Sequence, residues 1–227
     1  MVASGIWKEE LRIWSQGQIS MESVCRWSRF ERTGIRRQTN LAHTHGLTTL
    51  GIILLEKLKP HIQIDDLLVI EALHIHDISE GILQRDISAL AKVSQHDLEE
   101  YEAFEREFSI LEEAVYNRLR KAFLLQFVLK DYSWLPPNIQ SLVCVLKESY
   151  YMEAKVLRSL ELWDYFMFGL EQYSLRKNPD ILVSVVKTNI VELSNIANQI
   201  PGFCEEVWTK EVVVFLEQFS SEHTCSY

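Results

Sequence analysis

The segment Leu67–Asp77 reads LLVIEALHIHD: it is apolar on nearly every side, yet it ends in two histidines and an aspartate. An apolar segment of this kind predicts a helix that is buried in the protein interior. Burying an unpaired carboxylate costs several kcal/mol, so Asp77 needs a cation, a metal ion or several hydrogen-bond donors beside it. The imidazole of His76 next to that carboxylate offers nitrogen and oxygen ligands together, a combination that suits a divalent metal.

The rest of the chain is also predicted to be helical. Only 8 glycines and 5 prolines occur among 227 residues, and most of them lie between periodic segments. Strand-like alternation of Val, Ile and Thr between turn residues is nearly absent. The periodic segments are residues 40–58, 65–77 with Asp65 or Asp66 as its cap, 97–129, 139–173 as one or two helices, 180–197 and 203–219. We therefore predict an all-α protein, with residues 1–177 as one domain and residues 178–227 as a C-terminal helical extension packed on it.

Composition and charge exclude several classes of function. Apolar residues make up 47% and charged residues 24% of the chain, which is typical of a globular protein. The net charge of −9 argues against a surface that binds duplex nucleic acid, because neutralising phosphates requires clustered Lys and Arg. No apolar run approaches the length that spans a bilayer, and residues 1–10 lack the pattern of a secretory signal. With four widely spaced cysteines and no CxxC motif, we expect a cytoplasmic protein with reduced thiols.

Two further segments carry polar residues that could meet the His-Asp pair. Residues 39–45 open a predicted helix and contain His43 and His45. Glu161 and Asp164 lie on another apolar helix, three residues apart and therefore on one face of it. Side chains from three helices could thus converge on one divalent ion. In the alternative interpretation, the two acids pair with basic residues of their own helix and one histidine is buried in the core.

A second His-Asp pair, His96-Asp97, provides an internal comparison. It lies in the polar stretch SQHDLE at residues 94–99, where Asp97 is expected to cap the helix that follows. That helix is expected to expose its acidic residues to solvent, Glu100 among them. We predict no metal at this pair.

The order of these residues resembles the HD superfamily of metal-dependent phosphohydrolases, and within it the bacterial 5′-deoxyribonucleotidases and their relatives. The strings that carry the resemblance are Arg26-Trp27, NLAH at residues 40–43, HDISEGILQRDI at residues 76–87 and, more weakly, residues 153–171. The string that begins at His76 is the most specific, and the resemblance covers about residues 20–175. It implies an HD-domain-like helical bundle.

The resemblance also implies a role for each residue of the site. The implied metal ligands are His43, His76, Asp77 and Glu161, with Asp164 as the alternative fourth ligand. The implied catalytic residues are Glu80, in contact with the sugar or behind the metal ligands, and Asp86, as general acid or base. The candidates for substrate binding are Arg26 for the phosphate, Trp27 for sugar or base, and Arg36 as a further cation.

Three features depart from the pattern of that family. Glu161 stands where the family has an aspartate as its last metal ligand. Asp86 lies nine residues, rather than eight, after the metal-binding aspartate. The residue before His43 is alanine rather than glutamate, which leaves His45 as a competing ligand. These differences bear on activity and substrate more than on the fold.

The function implied by the resemblance is hydrolysis of nucleoside or deoxynucleoside 5′-monophosphates to nucleoside and phosphate. The cofactor would be a divalent metal ion (Mn, Co, Mg, Ni, Fe or Zn), and the partner would be a small-molecule nucleotide. Relatives of this kind often form dimers, so a homodimer is compatible with the sequence. Two alternatives stay open: an HD hydrolase of another phosphorylated substrate, such as a dNTP or a signalling nucleotide, and a non-catalytic helical module that binds nucleotides.

Overall fold

The computed structural model of the protein describes residues 8–87 and 91–223. Its helices are α1 (Lys8–Ser23), α2 (Asn40–Leu58), α3 (Asp66–Ile75), α4 (Ile78–Leu83), α5 (Ser94–Phe108), α6 (Glu113–Leu124), α7 (Pro137–Ser149), α8 (Tyr151–Arg176), α9 (Asp180–Ala197), α10 (Phe203–Glu206) and α11 (Lys210–Glu222). Two 3-10 segments, Ser28–Thr33 and Leu125–Phe127, accompany them, with one antiparallel pair of two-residue strands, β1 (Cys25–Arg26) and β2 (Gln38–Thr39). The prediction of an all-α fold is confirmed.

The start of α2 is fixed by a side-chain cap. The hydroxyl of Thr39 accepts a hydrogen bond from the backbone N–H of Ala42 at 3.2 Å, which satisfies a donor that has no partner within the helix. The helix then runs over the predicted residues 40–58. His43 lies in its first turn, on the same buried side as Leu47 and Leu54, and is only 1% exposed.

Helix α3 is also capped as predicted, by Asp65. Its carboxylate accepts a hydrogen bond from the backbone N–H of Leu68 at 3.0 Å. The helix is not buried on every side, however, because Leu67 and His74 are exposed. These two residues are seven apart and so share one face, while the remaining face packs into the core. At its end α3 passes directly into α4, and the residues of this junction lie in the interior.

The prediction of one long helix over residues 97–129 is wrong. The structure divides this stretch into α5, α6 and the following 3-10 segment, with α5 ending at Phe108 and α6 beginning at Glu113. No glycine or proline lies between them, so the sequence gives no sign of the break. The break lets α5 pack against α4 while α6 packs against α3.

The first turns of α5 differ from the prediction as well. The helix begins at Ser94, so Asp97 lies inside it rather than capping it, and the carboxylate accepts a hydrogen bond from Lys130 at 3.0 Å. Glu100 is 1% exposed instead of facing solvent, and it accepts a hydrogen bond from Lys92 at 2.7 Å. Burial of these acids is tolerated because each has a lysine as its partner.

The C-terminal helices complete the hydrophobic core. Helix α9 packs along α8, and α11 packs against α9. Gly169 permits the close approach of α8 and α9, because a Cβ atom there would lie 2.8 Å from the Cα of Leu182. Leu182, Val183 and Leu193 are fully buried in the same core as the apolar side of α8. Helix α9 therefore forms a wall of the central part of the molecule.

The cysteines that can be placed are not bonded to one another. Cys25, Cys144 and Cys204 carry free thiols, and Cys225 lies outside the described residues. Within residues 8–87 and 91–223, no helix combines the length and the apolarity that crossing a membrane requires.

Candidate metal centre

Two segments of the chain bring His43, His76 and Asp77 to one point in the interior. His43 lies in the first turn of α2, and the other two residues form the junction between α3 and α4. The Nε2 atoms of the two imidazoles lie 3.4 Å and 3.2 Å from Oδ2 of Asp77. One ligand atom from each of the three residues lies within 4.8 Å of the others, and all three residues are buried. This group could hold a metal ion.

A hydrogen bond at Nδ1, on the side away from the shared point, fixes the orientation of each imidazole ring. Nδ1 of His76 donates a hydrogen bond to the carbonyl oxygen of Leu73 at 2.9 Å, and Nδ1 of His43 donates one to Oδ2 of Asp164 at 2.8 Å. Since both acceptors hold the proton at Nδ1, each Nε2 can present a lone pair towards the shared point, as a metal-binding histidine must. The competing histidine, His45, is exposed on α2. The donor set therefore fits a divalent ion.

Glu161 and Asp164 both lie on α8, but they contact different sides of the group formed by His43, His76 and Asp77. Oε1 of Glu161 is 4.0 Å from Nε2 of His76, and its other oxygen accepts a hydrogen bond from Arg158 at 3.2 Å. Asp164 sits behind His43 and is engaged by its Nδ1. Glu161 thus lies beside the candidate metal group, and Asp164 lies behind His43, where it orients the imidazole.

Replacing Asp164 with alanine is expected to weaken metal binding by about 10- to 100-fold, the usual effect of losing a group that orients a ligand. Asp164→Asn should cause a smaller loss, because its amide oxygen can still accept the hydrogen bond from His43. Titration of the metal-free variants with Mn²⁺ in a calorimeter measures this order, and circular dichroism checks the fold. Equal affinity in Asp164→Ala and the unmodified protein would show that His43 needs no such support.

Arg26 shares the carboxylate of Asp77 with the histidines. Its Nη1 donates a hydrogen bond to Oδ2 of Asp77 at 2.7 Å, and the arginine is 8% exposed. Burial alone would raise the pKa of Asp77, but His76 and Arg26 hold that pKa well below its usual range. Burial lowers the pKa of His76, but Asp77 and Glu161 raise it more, to about 9. A metal ion would therefore displace a proton from His76 on binding.

Glu80 has the opposite electrostatic environment to that of Asp77. It is 5% exposed and accepts a hydrogen bond from Nδ2 of Asn40 at 2.9 Å. Burial and the charge of Asp77 raise the pKa of Glu80 to about 8, although Lys92 lies 3.9 Å away and acts in the other direction. At neutral pH one carboxyl of the site is thus ionised and its neighbour holds a proton, a division typical of acid–base sites.

These groups lie along a cavity of about 850 Å³. His76, Asp77, Glu161, Glu80, Asp86, Arg26 and Trp27 all contribute to its lining. The indole of Trp27 stacks on Phe168, with ring centroids 5.4 Å apart, and donates a hydrogen bond to Gln38 at 2.9 Å. The backbone of Trp27 has φ 62°, a conformation that is rare for a bulky residue. The tryptophan therefore has a packing role and also borders the cavity.

The prediction that Arg36 contributes to substrate binding is not supported. Nε and Nη2 of Arg36 donate hydrogen bonds to the carboxylate of Glu171, at 3.1 Å and 2.8 Å. Its guanidinium also lies 5.4 Å from the ring centroid of Phe168. Arg36 is not among the residues described as lining the cavity. Its charge is neutralised in an ion pair that joins the loop before β2 to α8. The sequence shows only two adjacent arginines and gives no sign of this partner.

Several residues that line the cavity were not predicted from the sequence. Tyr165 follows Glu161 by four residues on α8, so helical periodicity could have found it. Lys92 and the polar residues Thr188 and Asn189 of α9 also line the cavity. Their sequence context is that of ordinary surface residues, and only the packing of α9 along α8 brings the last two to the site.

No protein-family model matches the chain, and no curated protein that was compared matches it. The residues of the site therefore carry the functional conclusion by themselves. Two oriented imidazoles, an ionised carboxylate and a buried arginine stand together, and His76, Asp77 and Arg26 line the cavity. This combination suits a divalent ion next to an anionic small molecule.

Proposed function

We propose that the protein is a metal-dependent phosphohydrolase of the HD type, which hydrolyses nucleoside or deoxynucleoside 5′-monophosphates to nucleoside and phosphate. The observation that carries the proposal is the buried group of His43, His76 and Asp77, with Arg26 on the same carboxylate and a cavity beside it. The proposal is also supported by the order of these residues along the chain, which resembles that of the HD superfamily.

The metal ligands and Arg26 would act on one phosphate group. A divalent metal held by His43, His76 and Asp77, with Glu161 beside them, would polarise a phosphoryl oxygen and lower the pKa of a bound water. Arg26 would grip non-bridging oxygens of the same phosphate, because its planar guanidinium can donate two parallel hydrogen bonds. Hydrolysis of a phosphate monoester depends mainly on such positioning and charge neutralisation.

Glu80 and Asp86 are the candidates for proton transfer. Glu80 holds a proton at neutral pH, since its pKa is raised to about 8, and it can donate a hydrogen bond to the sugar or to the leaving 5′-oxygen. Asp86 also lines the cavity and can accept a proton from the attacking water. Glu80 would therefore act as the proton donor to the leaving group, and Asp86 as the proton acceptor from the attacking water.

The cavity offers space and suitable surfaces for the nucleoside. Its volume of about 850 Å³ lies in the range of small-molecule sites. Trp27 and Tyr165 provide aromatic surfaces, and Thr188 and Asn189 of α9 provide polar groups that can bond to a base. This arrangement favours a ligand with one apolar, ring-shaped part and one phosphate.

The test is phosphate release from a panel of nucleoside and deoxynucleoside 5′-monophosphates, with Mn²⁺, Co²⁺ or Mg²⁺ added to purified protein. We expect release that depends on the metal and is abolished by EDTA, because the phosphate needs the metal for charge neutralisation. Metal content is measured on protein purified without added metal. Release that persists undiminished in EDTA would contradict the proposal. A folded protein that binds nucleotide but neither binds metal nor releases phosphate would be a non-catalytic module.

A further inference from the structure

Arg158 on α8 connects the candidate metal group to a carboxylate of α9. Its Nε and Nη2 donate hydrogen bonds to the two oxygens of Glu192, at 2.8 Å and 3.1 Å. Its remaining nitrogen, Nη1, donates a hydrogen bond to Oε2 of Glu161 at 3.2 Å. A planar guanidinium that is bonded through all three nitrogens has little freedom to turn. The contact between α8 and α9 therefore fixes Arg158, and Arg158 fixes one oxygen of Glu161.

The two oxygens of Glu161 consequently have different surroundings. Oε1 lies 4.0 Å from Nε2 of His76, whereas Oε2 is bonded to Arg158. The side chain of Glu161 is only 13% exposed, so few water molecules compete with the guanidinium for Oε2. A hydrogen bond between two charged groups is also about twice as strong as one between neutral groups. Oε1 is thus the oxygen that can reach a metal ion beside His76 without breaking this contact.

The difference between the two oxygens bears on how a metal ion would be bound. A carboxylate can bind a metal through one oxygen or through both. Binding through both would fill two coordination positions, and a catalytic metal needs open positions for water and substrate. Glu161 stands where the HD superfamily has an aspartate, and its extra methylene group gives it more reach and more freedom to bind through both oxygens. Glu192 lies outside residues 20–175, so the resemblance does not imply its contact with Arg158.

We infer that Arg158 is a positioning residue that reserves Oε2 of Glu161 and leaves only Oε1 for the metal ion. Glu192 contributes by holding the guanidinium in place from α9. The inference rests on the proposed function for the presence of a metal ion beside Glu161. It gives the C-terminal helices a part in the chemistry of the site, because a residue of α9 helps to keep coordination positions open for water and phosphate.

A double-mutant cycle with Arg158→Met and Glu161→Gln tests the inference through metal binding. The unmodified protein, both single variants and the double variant are freed of metal and titrated with Co²⁺ in a calorimeter. Arg158→Met alone should raise the affinity by about tenfold or more, because Glu161 can then bind through both oxygens. When Glu161→Gln is already present, the same substitution should change the affinity by about twofold at most, because Glu192 neutralises the charge of Arg158.

The visible absorption of bound Co²⁺ is a second readout, which a purely structural role of Arg158 would not change. This absorption weakens as the coordination number of the ion increases, so Arg158→Met should lower it. Arg36→Met is the matched control, since Arg36 also donates hydrogen bonds from Nε and Nη2 to one glutamate, Glu171, outside the cavity. It should leave both the affinity and the absorption unchanged.

Several outcomes would overturn the inference. They are an affinity that does not rise in Arg158→Met, a rise that is equal with and without Glu161→Gln, and an absorption of Co²⁺ that stays the same. Circular dichroism checks the fold of each variant. Should Arg158→Met fail to fold, Arg158→Gln replaces it in the cycle, because one amide group cannot hold two carboxylates at once.

Phosphate release separates failure of this inference from failure of the proposed function. Release from the panel of nucleoside and deoxynucleoside 5′-monophosphates is measured with Mn²⁺ for the same proteins. If no compound releases phosphate but the cycle shows that Arg158 and Glu161 are coupled, the proposed hydrolysis is wrong and the role of Arg158 stands. If phosphate is released and the cycle shows no coupling, only the role of Arg158 is wrong. If the unmodified protein binds no metal, both are wrong.

Discussion

Replacing Asp77 with asparagine is expected to remove the metal and to lower phosphate release by about a thousandfold or more. Oδ2 of Asp77 lies within 3.4 Å of Nε2 of both His43 and His76, so it is central to the ligand group. An amide oxygen carries no net charge and competes poorly with water for a divalent ion. The variant also leaves the guanidinium of Arg26 buried without its counter-ion, and this positive charge would repel the metal. Metal content by mass spectrometry and phosphate release with Mn²⁺ measure both effects.

Asp97→Asn is a matched control, because it makes the same change in the other His-Asp pair of the chain. Asp97 and Asp77 are equally buried, each 8% exposed. The carboxylate of Asp97 is bonded to Lys130 and lies 3.6 Å from Lys92, with no histidine among these partners. We expect Asp97→Asn to keep its metal, with circular dichroism as the check on folding. If both variants lost the metal equally, or if Asp77→Asn kept it, the metal centre would not be the one proposed.

The sequence predicts helices well where a cap and a hydrophobic period occur together. The bounds of α2 agree with the prediction because Thr39 caps its first turn, and α3 begins where Asp65 caps it. The division between α5 and α6 could not be predicted. It depends on the partners of each half, α4 for one and α3 for the other, and no residue between them breaks a helix by itself.

The part of the site that could be predicted is the part that follows from the need to neutralise buried charge. A histidine and an aspartate at the end of an apolar helix require partners, and the structure brings His43 to them. The separate places of Glu161 and Asp164 could not be predicted, because residues three apart share a helical face. Which of them lies beside the candidate metal group depends on how α8 packs against α2 and α3. Lys92 could not be predicted either, since its acidic partners look like surface residues in the sequence.

Replacing Arg26 with methionine is expected to have opposite effects on catalysis and on metal binding. Phosphate release should fall about a hundredfold to a thousandfold, because in the proposed mechanism Arg26 neutralises the phosphoryl oxygens beside the metal. Metal affinity should rise, because Asp77 loses a competing cation that lies 2.7 Å from its Oδ2. Methionine fills much of the same space, so the change removes the charge without opening a large cavity. Kinetics with Mn²⁺ and calorimetric metal titration give the two values.

The stability of Arg26→Met should also depend on the metal. Without metal, Asp77 would lose its arginine partner in a buried position, and breaking such a pair costs about 3–5 kcal/mol. A bound divalent ion restores a positive charge next to the carboxylate. The melting temperature should therefore rise more on adding Mn²⁺ to the variant than on adding it to the unmodified protein.

Arg36→Met is the control for these effects, because Arg36 is bonded to Glu171 outside the cavity. The loss of this partly exposed ion pair should cost less than about 1 kcal/mol and change phosphate release by less than about twofold. An equal loss of activity in both variants would mean that Arg36 reaches the substrate after all. If Arg26→Met lost metal together with activity, Arg26 would be a structural partner of Asp77. A role in binding phosphate alone would lower phosphate release without lowering metal affinity.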